Sequence, residues 1–211
     1  MRRESTGKAS VTRLSPVSKP AFDVVAMAAS AGGLNALGKV LEALPADFPA
    51  PIVIVQHLDP RHRSLIAEIL ARTTKLRVKQ AEEGEPLRPA TVYFAKPDRH
   101  LLVNADNTLS LTQTELVHFV RPSADLMFES VAASHRERAI AVVLTGTGSD
   151  GVMGVQAIKK MGGTVIAQDK ASAEYFGMPS AAIQAGSVDF TLPLSEIPAA
   201  LVTLVMKGEV E

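Results

Sequence analysis

Short apolar runs separated by longer amphipathic segments constrain how this chain can fold more than any other feature. The runs at 22–29 (FDVVAMAA), 52–56 (IVIVQ) and 139–144 (AIAVVL) are apolar almost without interruption. Such runs are typical of strands buried on both faces, as in a parallel sheet. Helical patterns follow at 34–44 and 64–73. The alternation predicts an α/β fold: a single three-layer domain with a mostly parallel β-sheet flanked by helices on both faces.

The middle of the chain interrupts this alternation with short strands. After a strand at 91–95, apolar stretches at 101–103 and 108–111 flank Ala105-Asp106-Asn107, a pattern that predicts a β-hairpin. The helix expected at 123–134 would begin either with Ser123 as its cap or with Pro122 in its first turn. Further elements are predicted as strands at 139–144, 164–167 and 188–192 and helices at 152–161, 179–185 and 195–206.

Composition narrows the class of protein. The 211 residues carry a formal net charge of zero, which gives no bulk electrostatic argument for a nucleic-acid partner. The absence of cysteine excludes disulfides, a thiol nucleophile and thiolate metal sites, and agrees with a cytoplasmic location. No apolar stretch approaches the roughly 20 residues that span a bilayer, so no membrane insertion is expected. The basic segment 1–21 is interpreted as a disordered tail or linker, followed by one domain over 22–211.

Three chemically distinct side chains follow three of the predicted strands. Ser30 follows VVAMAA, His57 follows IVIVQ, and Asp150 lies in TGTGSDG after AIAVVL. The carboxyl ends of parallel strands meet at one edge of a sheet, where functional groups collect. A serine nucleophile needs a base to take its proton, and that base needs an anion to orient it. The arrangement therefore predicts a Ser30–His57–Asp150 catalytic triad.

Each residue also has an ordinary interpretation. Ser30 could cap the following helix, His57 could be a packed histidine at a strand end, and Asp150 could serve as a cap or turn residue. The coincidence of all three at equivalent strand ends favours the catalytic interpretation. The histidines form no compact ligand motif, so neither a metal nor another cofactor is predicted, and His135, near the charged end of its helix, is expected to face solvent.

Ordered sequence blocks from residue 22 to the C-terminus resemble those of the CheB-type chemoreceptor methylesterase domain. The blocks are AASAGGL (28–34), VQHL (55–58), AKPDRHL (95–101), RPSADLMFESVA (121–132), LTGTGSDG (144–151), AQDKASAEYFGMP (167–179) and SVDFTLPL (187–194). The resemblance implies a parallel-sheet α/β fold and hydrolysis of glutamate γ-methyl esters on the cytoplasmic helices of methyl-accepting receptors. It also implies methanol release and, in some members, deamidation of receptor glutamines.

The resemblance carries site residues onto this chain. The family's nucleophile, histidine and aspartate fall on Ser30, His57 and Asp150, and an oxyanion contact from a backbone N–H falls on Thr147. With the neighbouring N–H groups of Ala31 and Gly148, these donors are expected to hold the oxyanion. No prediction of oligomeric state follows.

The chain departs from the family pattern at two positions. Ala31 stands where threonine is common, and Thr147 stands where methionine is usual. Backbone donors are unaffected by either change, so chemistry is expected to persist. A CheB-like interaction module without turnover is the alternative. A dinucleotide-binding module is disfavoured because AASAGG lacks the first glycine of GxGxxG. Full-length members also carry a receiver domain, which these 211 residues do not contain.

Overall fold

The protein is described here from a computed structural model, which covers residues 20–57 and 65–207. Its main sheet has seven strands in the order β3-β4-β2-β1-β7-β8-β9, and every pairing along it is parallel. A separate antiparallel hairpin pairs β5 with β6. The predicted α/β class, with one parallel sheet and a β-hairpin, is confirmed. The predicted tail at 1–21 lies outside the described residues except for 20 and 21.

The elements follow the alternation seen in the sequence. The strands are β1 Val24–Ala29, β2 Ile52–Gln56, β3 Arg77–Gln80, β4 Thr91–Phe94, β5 His100–Val103, β6 Leu109–Thr112, β7 Ala139–Val143, β8 Thr164–Gln168 and β9 Phe190–Leu192. The helices are α1 Gly33–Ala43, α2 Ile66–Leu70, α3 Ala124–His135, α4 Val152–Lys160, α5 Gly177–Gln184 and α6 Ile197–Lys207. Within the described ranges, no helix is long and apolar enough to cross a membrane.

Two apolar cores lie on opposite faces of the sheet because successive strand residues point to opposite sides. Val25 and Met27 of β1 pack with α1, α2 and α6 on one face. Val24 and Ala26 pack with α3, α4, α5 and the hairpin on the other. Both sets of β1 side chains are fully buried, so the central strand tolerates no polar residue. This double burial explains why the strands read as continuous apolar runs.

The strand order creates a crevice at the carboxyl end of β1. After β1 the chain builds β2, β3 and β4 on one side, and it then crosses to place β7, β8 and β9 on the other. In open parallel sheets, ligands bind at such a switch point, outside the carboxyl ends of the strands. The connections after β1, β2 and β7 therefore converge there, and these connections carry Ser30, His57 and Asp150.

Three details differ from the sequence-based expectations. Strand β3 was not predicted, because it is a short edge strand in which Val78 is the single large apolar residue. Helix α3 begins at Ala124 with Ser123 in the cap position, but the Ser123 side chain makes no capping hydrogen bond, and Pro122 lies before the helix and not in its first turn. His135 is 8% exposed and does not face solvent, and burial lowers the pKa of its imidazole. The charged neighbours of His135 in the sequence were therefore a poor guide to its exposure.

Substituting one glycine in each of two helices should change stability in opposite directions. A Cβ added at Gly154 of α4 would lie 2.5 Å from the Cβ of Phe128 and 3.0 Å from the carbonyl oxygen of Asp125. Gly154→Ala should therefore separate α3 from α4 and lower the free energy of unfolding by about 1–3 kcal/mol. Gly38→Ala in α1 meets only Leu70, at 3.4 Å, and should raise stability by up to about 1 kcal/mol.

Urea denaturation of both variants checks this pair of effects. Equal stability changes at the two positions would contradict the close packing of α3 against α4.

Candidate active site

Ser30 follows the last residue of β1 and is held there by its main chain. Its N–H donates to the carbonyl oxygen of Thr145 at 3.0 Å, and its own carbonyl accepts the N–H of Gly33 at 2.9 Å. A Cβ built on Gly146 would lie 2.9 Å from the Cβ of Ser30, so the loop after β7 passes directly against the serine. Ser30 does not cap α1, because the position before that helix is Gly32, with φ of 75°.

Ser30 and His57 line the same open cavity, of about 820 Å³, which we call the Ser30 cleft. His57 follows β2, and its backbone N–H donates to the carbonyl oxygen of Ala29 at 3.1 Å, which extends the parallel pairing by one residue. The two residues therefore sit on neighbouring strand ends. The cleft is lined by Ser30, Ala31, Gly32, Gly33, Leu34, Asn35, Gln56, His57 and Ile66.

The imidazole of His57 contacts the carboxylate of Asp150. The distance from Nε2 to Oδ2 is 2.7 Å, across 93 residues of chain, and the side chains are 14% and 6% exposed. A carboxylate accepts hydrogen bonds, so Nε2 carries the proton and Nδ1 is left as an acceptor. Among the described residues, no hydrogen bond joins Ser30 Oγ to this ring. Catalytic hydrogen bonds are often long without substrate and tighten in the bound complex.

Asp150 is bound at the N-terminus of α3, not at the helix that follows it in the chain. Its carboxylate accepts the N–H groups of Ala124 at 2.6 Å and Asp125 at 3.2 Å, and the hydroxyl of Ser123 at 2.8 Å. It thus caps a helix 26 residues upstream, and that helix's dipole favours its negative charge. The following helix starts after Gly151, with φ of 105°.

These contacts determine the charge state of Asp150. Burial alone would raise its pKa, but hydrogen bonds from His57, from the N–H of Ala124 and from the Ser123 hydroxyl outweigh burial. The pKa of Asp150 consequently lies below its usual value. The carboxylate is therefore ionised at neutral pH and can stabilise a protonated imidazole.

The candidate oxyanion donors occupy two different loops. Ala31 lines the Ser30 cleft beside the serine. Thr147 and Gly148 are exposed in the loop after β7, outside the cleft lining, although Gly146 of the same loop touches Ser30. A Cβ on Gly177 would lie 3.1 Å from both Thr147 Cα and Gly148 N, so the start of α5 packs directly against this loop.

Sequence reasoning missed several residues that hold these loops. The Thr145 hydroxyl is 3.0 Å from the Ala31 carbonyl oxygen and also accepts the N–H of Tyr175 at 2.9 Å. The Gln56 amide binds the nucleophile turn, and Ser123 binds Asp150. These residues all lie inside the sequence blocks that carry the family resemblance. Their distances along the chain from Ser30, His57 and Asp150 follow no pattern that would have predicted these contacts. The part of the chain described here contains no cluster of three or more His, Asp or Glu side chains arranged to hold a metal ion.

A second buried carboxylate, Asp125, lies beside Asp150. It is 3% exposed, its Oδ1 accepts the N–H of Gly154 at 2.9 Å, and its Oδ2 is 3.5 Å from Nε2 of His118. Burial and, to a smaller extent, the charge of Asp150 raise the pKa of Asp125, despite the hydrogen bond from Gly154. A carboxyl with a raised pKa favours the folded state most when it is protonated.

Asp125→Asn should therefore gain stability relative to the wild type as the pH rises. Protonated Asp125 stabilises the folded wild type, and this stabilisation decreases as the pH rises from the unfolded-chain pKa of about 3.9 through the higher folded pKa. Asparagine does not titrate, so the variant has no such loss. Urea denaturation between about pH 4 and pH 8 measures the difference. Asp106→Asn is the control, because hydrogen bonds from Thr108 lower the pKa of Asp106. The stabilisation from Asp106 is lost only as the pH falls below about 3.9, so the difference between this variant and the wild type should stay nearly constant over the measured range. A difference for Asp125→Asn that is constant with pH would contradict the assignment.

Comparisons with known proteins agree with this fold and identify the family of the chain. The CheB methylesterase family model matches residues 25–201. A Thermotoga maritima protein-glutamate methylesterase/protein-glutamine glutaminase is 40% identical over 94% of this chain and 59% of its own length. A putative protein of the same name from Leptospira interrogans is 41% identical over 83% of this chain and 91% of its own.

Solved structures give the same result. The crystal structure of the Thermotoga maritima CheB methylesterase catalytic domain superposes with a TM-score of 0.85 at 40% identity, covering 87% of this chain and 99% of that one. The range matched by the family model spans the positions of Ser30, His57 and Asp150. The chain belongs to the CheB methylesterase family, and it corresponds to the catalytic domain of that family.

Proposed function

We propose that this chain is a serine hydrolase that removes methyl groups from glutamate γ-methyl esters of methyl-accepting chemoreceptors. The observation that carries the proposal is the 2.7 Å contact between His57 Nε2 and Asp150 Oδ2, at the rim of a cleft that Ser30 also lines. The printed names of the relatives, protein-glutamate methylesterase/protein-glutamine glutaminase, support the substrate class. The chain spans 59% of the length of the Thermotoga relative. The activity in that relative's name is therefore assigned to this chain only as a proposal.

The first half of the reaction forms an acyl-enzyme. Asp150 holds Nε2–H of His57, which leaves Nδ1 to accept the proton of Ser30 Oγ. The oxygen attacks the γ-carbonyl carbon of the substrate, and the carbonyl electron pair moves onto oxygen. N–H groups of Ala31, Thr147 and Gly148 stabilise that oxyanion. When the intermediate collapses, the C–O bond to the methoxy group breaks, and the proton from Nδ1 leaves with it as methanol.

The second half returns the enzyme to its starting state. Water enters the Ser30 cleft and gives a proton to Nδ1 of His57 as it attacks the acyl carbon. As this second intermediate collapses, Nδ1 returns its proton to the oxygen of Ser30, and the released glutamic acid loses its own proton to solvent and becomes a carboxylate. The same sequence on a glutamine side chain expels ammonia, so deamidation requires no additional group.

A protein substrate agrees with the surface around the cleft. Four of the large apolar side chains that are exposed in the described residues follow strands of the main sheet, in a connection or in the first turn of a helix: Leu34, Leu65, Met153 and Tyr175. Leu34 lines the Ser30 cleft, and exposed apolar surface beside a cleft is suited to contact with a protein. The proposed partners are the cytoplasmic helices of methyl-accepting receptors, which would place this domain in the cytoplasm.

Removing the nucleophile or the base should abolish turnover without unfolding the domain. Ser30→Ala and His57→Ala are each expected to reduce methanol release by about 10,000-fold or more, because the covalent step then has no nucleophile or no base. Asp150→Asn should lose about 10,000-fold, since the imidazole loses its orienting anion. Methanol is measured with receptor cytoplasmic fragments methylated in vitro.

Ser134→Ala is the matched control for the serine variant. Ser134 donates to the carbonyl oxygen of Ser130 at 2.7 Å within α3, and it has no contact with the Ser30 cleft. This variant should retain wild-type turnover. Activity that persists in Ser30→Ala would disprove the nucleophile, and a folded wild type that releases no methanol would favour the interaction module without turnover.

A further inference from the structure

Gln56 is a buried polar residue of the Ser30 cleft to which the reaction above assigns no step. It is the last residue of β2 and is 7% exposed. Its Nε2 donates to the carbonyl oxygen of Ser30 at 2.7 Å and to the carbonyl oxygen of His57 at 3.1 Å. A single amide group therefore bridges the residue that carries the nucleophile and the residue that carries the base.

The contact with Ser30 determines where the next N–H points. A peptide unit is planar and trans, so the Ser30 carbonyl and the Ala31 N–H point in opposite directions. The N–H of Gly33 also binds the Ser30 oxygen, at 2.9 Å, and adds a second anchor on the same side. Because the Ser30 oxygen points toward the Gln56 amide, the Ala31 N–H points away from that amide.

We propose that Gln56 is a positioning residue that fixes the orientation of the Ser30–Ala31 peptide, and so the aim of the Ala31 N–H at the oxyanion. The inference rests on the proposed function for the identity of the nucleophile. Oxyanion donors are effective because they are oriented before the reaction begins. The second contact, with the His57 carbonyl, sets the separation between the serine turn and the histidine.

Sheet formation does not require these contacts. The parallel ladder already pairs Ala29 with Gln56 and continues through the bond from the His57 N–H to Ala29. The Gln56 amide reaches beyond this ladder into the turn. Its Oε1 is buried without a hydrogen-bond partner in the described part of the chain, and it lies so close to Gly33 that an added Cβ there would overlap it. The amide therefore binds the turn through its N–H donors alone.

The test replaces the donors while keeping the size of the side chain. Gln56→Met has no donor, and Gln56→Glu places a carboxylate against two carbonyl oxygens. Gln80→Met is the matched control, because Gln80 is the last residue of β3 as Gln56 is of β2. The full chain is treated with diisopropyl fluorophosphate, and intact mass and peptide mapping follow modification of Ser30. The serine oxygen bonds to phosphorus and fluoride leaves, while the hydroxyl proton passes through His57 to solvent.

The phosphoryl oxygen occupies the oxyanion position in this reaction, so the labelling rate reports the donors without any receptor. Both Gln56 variants should label roughly 10- to 100-fold more slowly than wild type, below the 100- to 1,000-fold loss for deleting an oxyanion donor. Gln80→Met should label at the wild-type rate. With methylated receptor fragments, kcat should fall by a similar factor and KM should stay unchanged, because the oxyanion exists only in the transition state.

Several outcomes overturn the inference. A wild-type labelling rate in a folded Gln56 variant would do so, as would a raised KM at constant kcat. Loss of folding in both variants, seen by urea denaturation, would show that the amide serves stability instead. Failure of the proposed function is separate: a wild type that labels at Ser30 but releases no methanol loses its substrate assignment, and the labelling rates still decide the role of Gln56.

Discussion

The site depends most on the binding of one carboxylate, Asp150, at the N-terminus of α3. This group accepts two main-chain N–H bonds, one hydroxyl and the His57 imidazole, all from distant parts of the chain. The first N–H groups of a helix have no partner within the helix, and a buried anion has a large desolvation cost unless it is hydrogen-bonded. The carboxylate supplies acceptors for the helix N–H groups, and those N–H groups supply the hydrogen bonds that the buried carboxylate needs. The same contact that completes α3 keeps the carboxylate ionised and oriented toward His57.

This arrangement explains the tight packing behind the site. Asp125, in the first turn of α3, donates its N–H to Asp150 and accepts the N–H of Gly154 from α4. Any side chain at Gly154 would push α3 away, and the Asp150 cap would move with it. The helices on this face therefore set the position of the carboxylate, while the sheet sets the positions of Ser30 and His57. Triad geometry depends on the contact between these two layers.

The sequence predicted the layers and the three strand-end residues because both follow from local patterns. Continuous apolar runs identified β1, β2 and β7, and their ends identified Ser30, His57 and Asp150. Edge strand β3 was missed because a charged edge carries no such run. The burial of His135 and the capping of α3 by Asp150 were also missed. Both depend on which helix packs where, and a helix N-terminus accepts a carboxylate from any part of the chain that reaches it.

The contacts of the nucleophile turn support the expectation that Ala31 and Thr147 leave its main-chain path unchanged. The turn is held through main-chain atoms: the Ser30 N–H, the Ser30 carbonyl and the Ala31 carbonyl. None of these bonds uses the side chain of residue 31 or 147. Two buried side chains bind the two carbonyl oxygens: Gln56, the last residue of β2, and Thr145, two positions after the end of β7. The residue types at Gln56 and Thr145 should therefore matter more for the path of this turn than those at positions 31 and 147, because their side chains bind the main-chain oxygens of the turn.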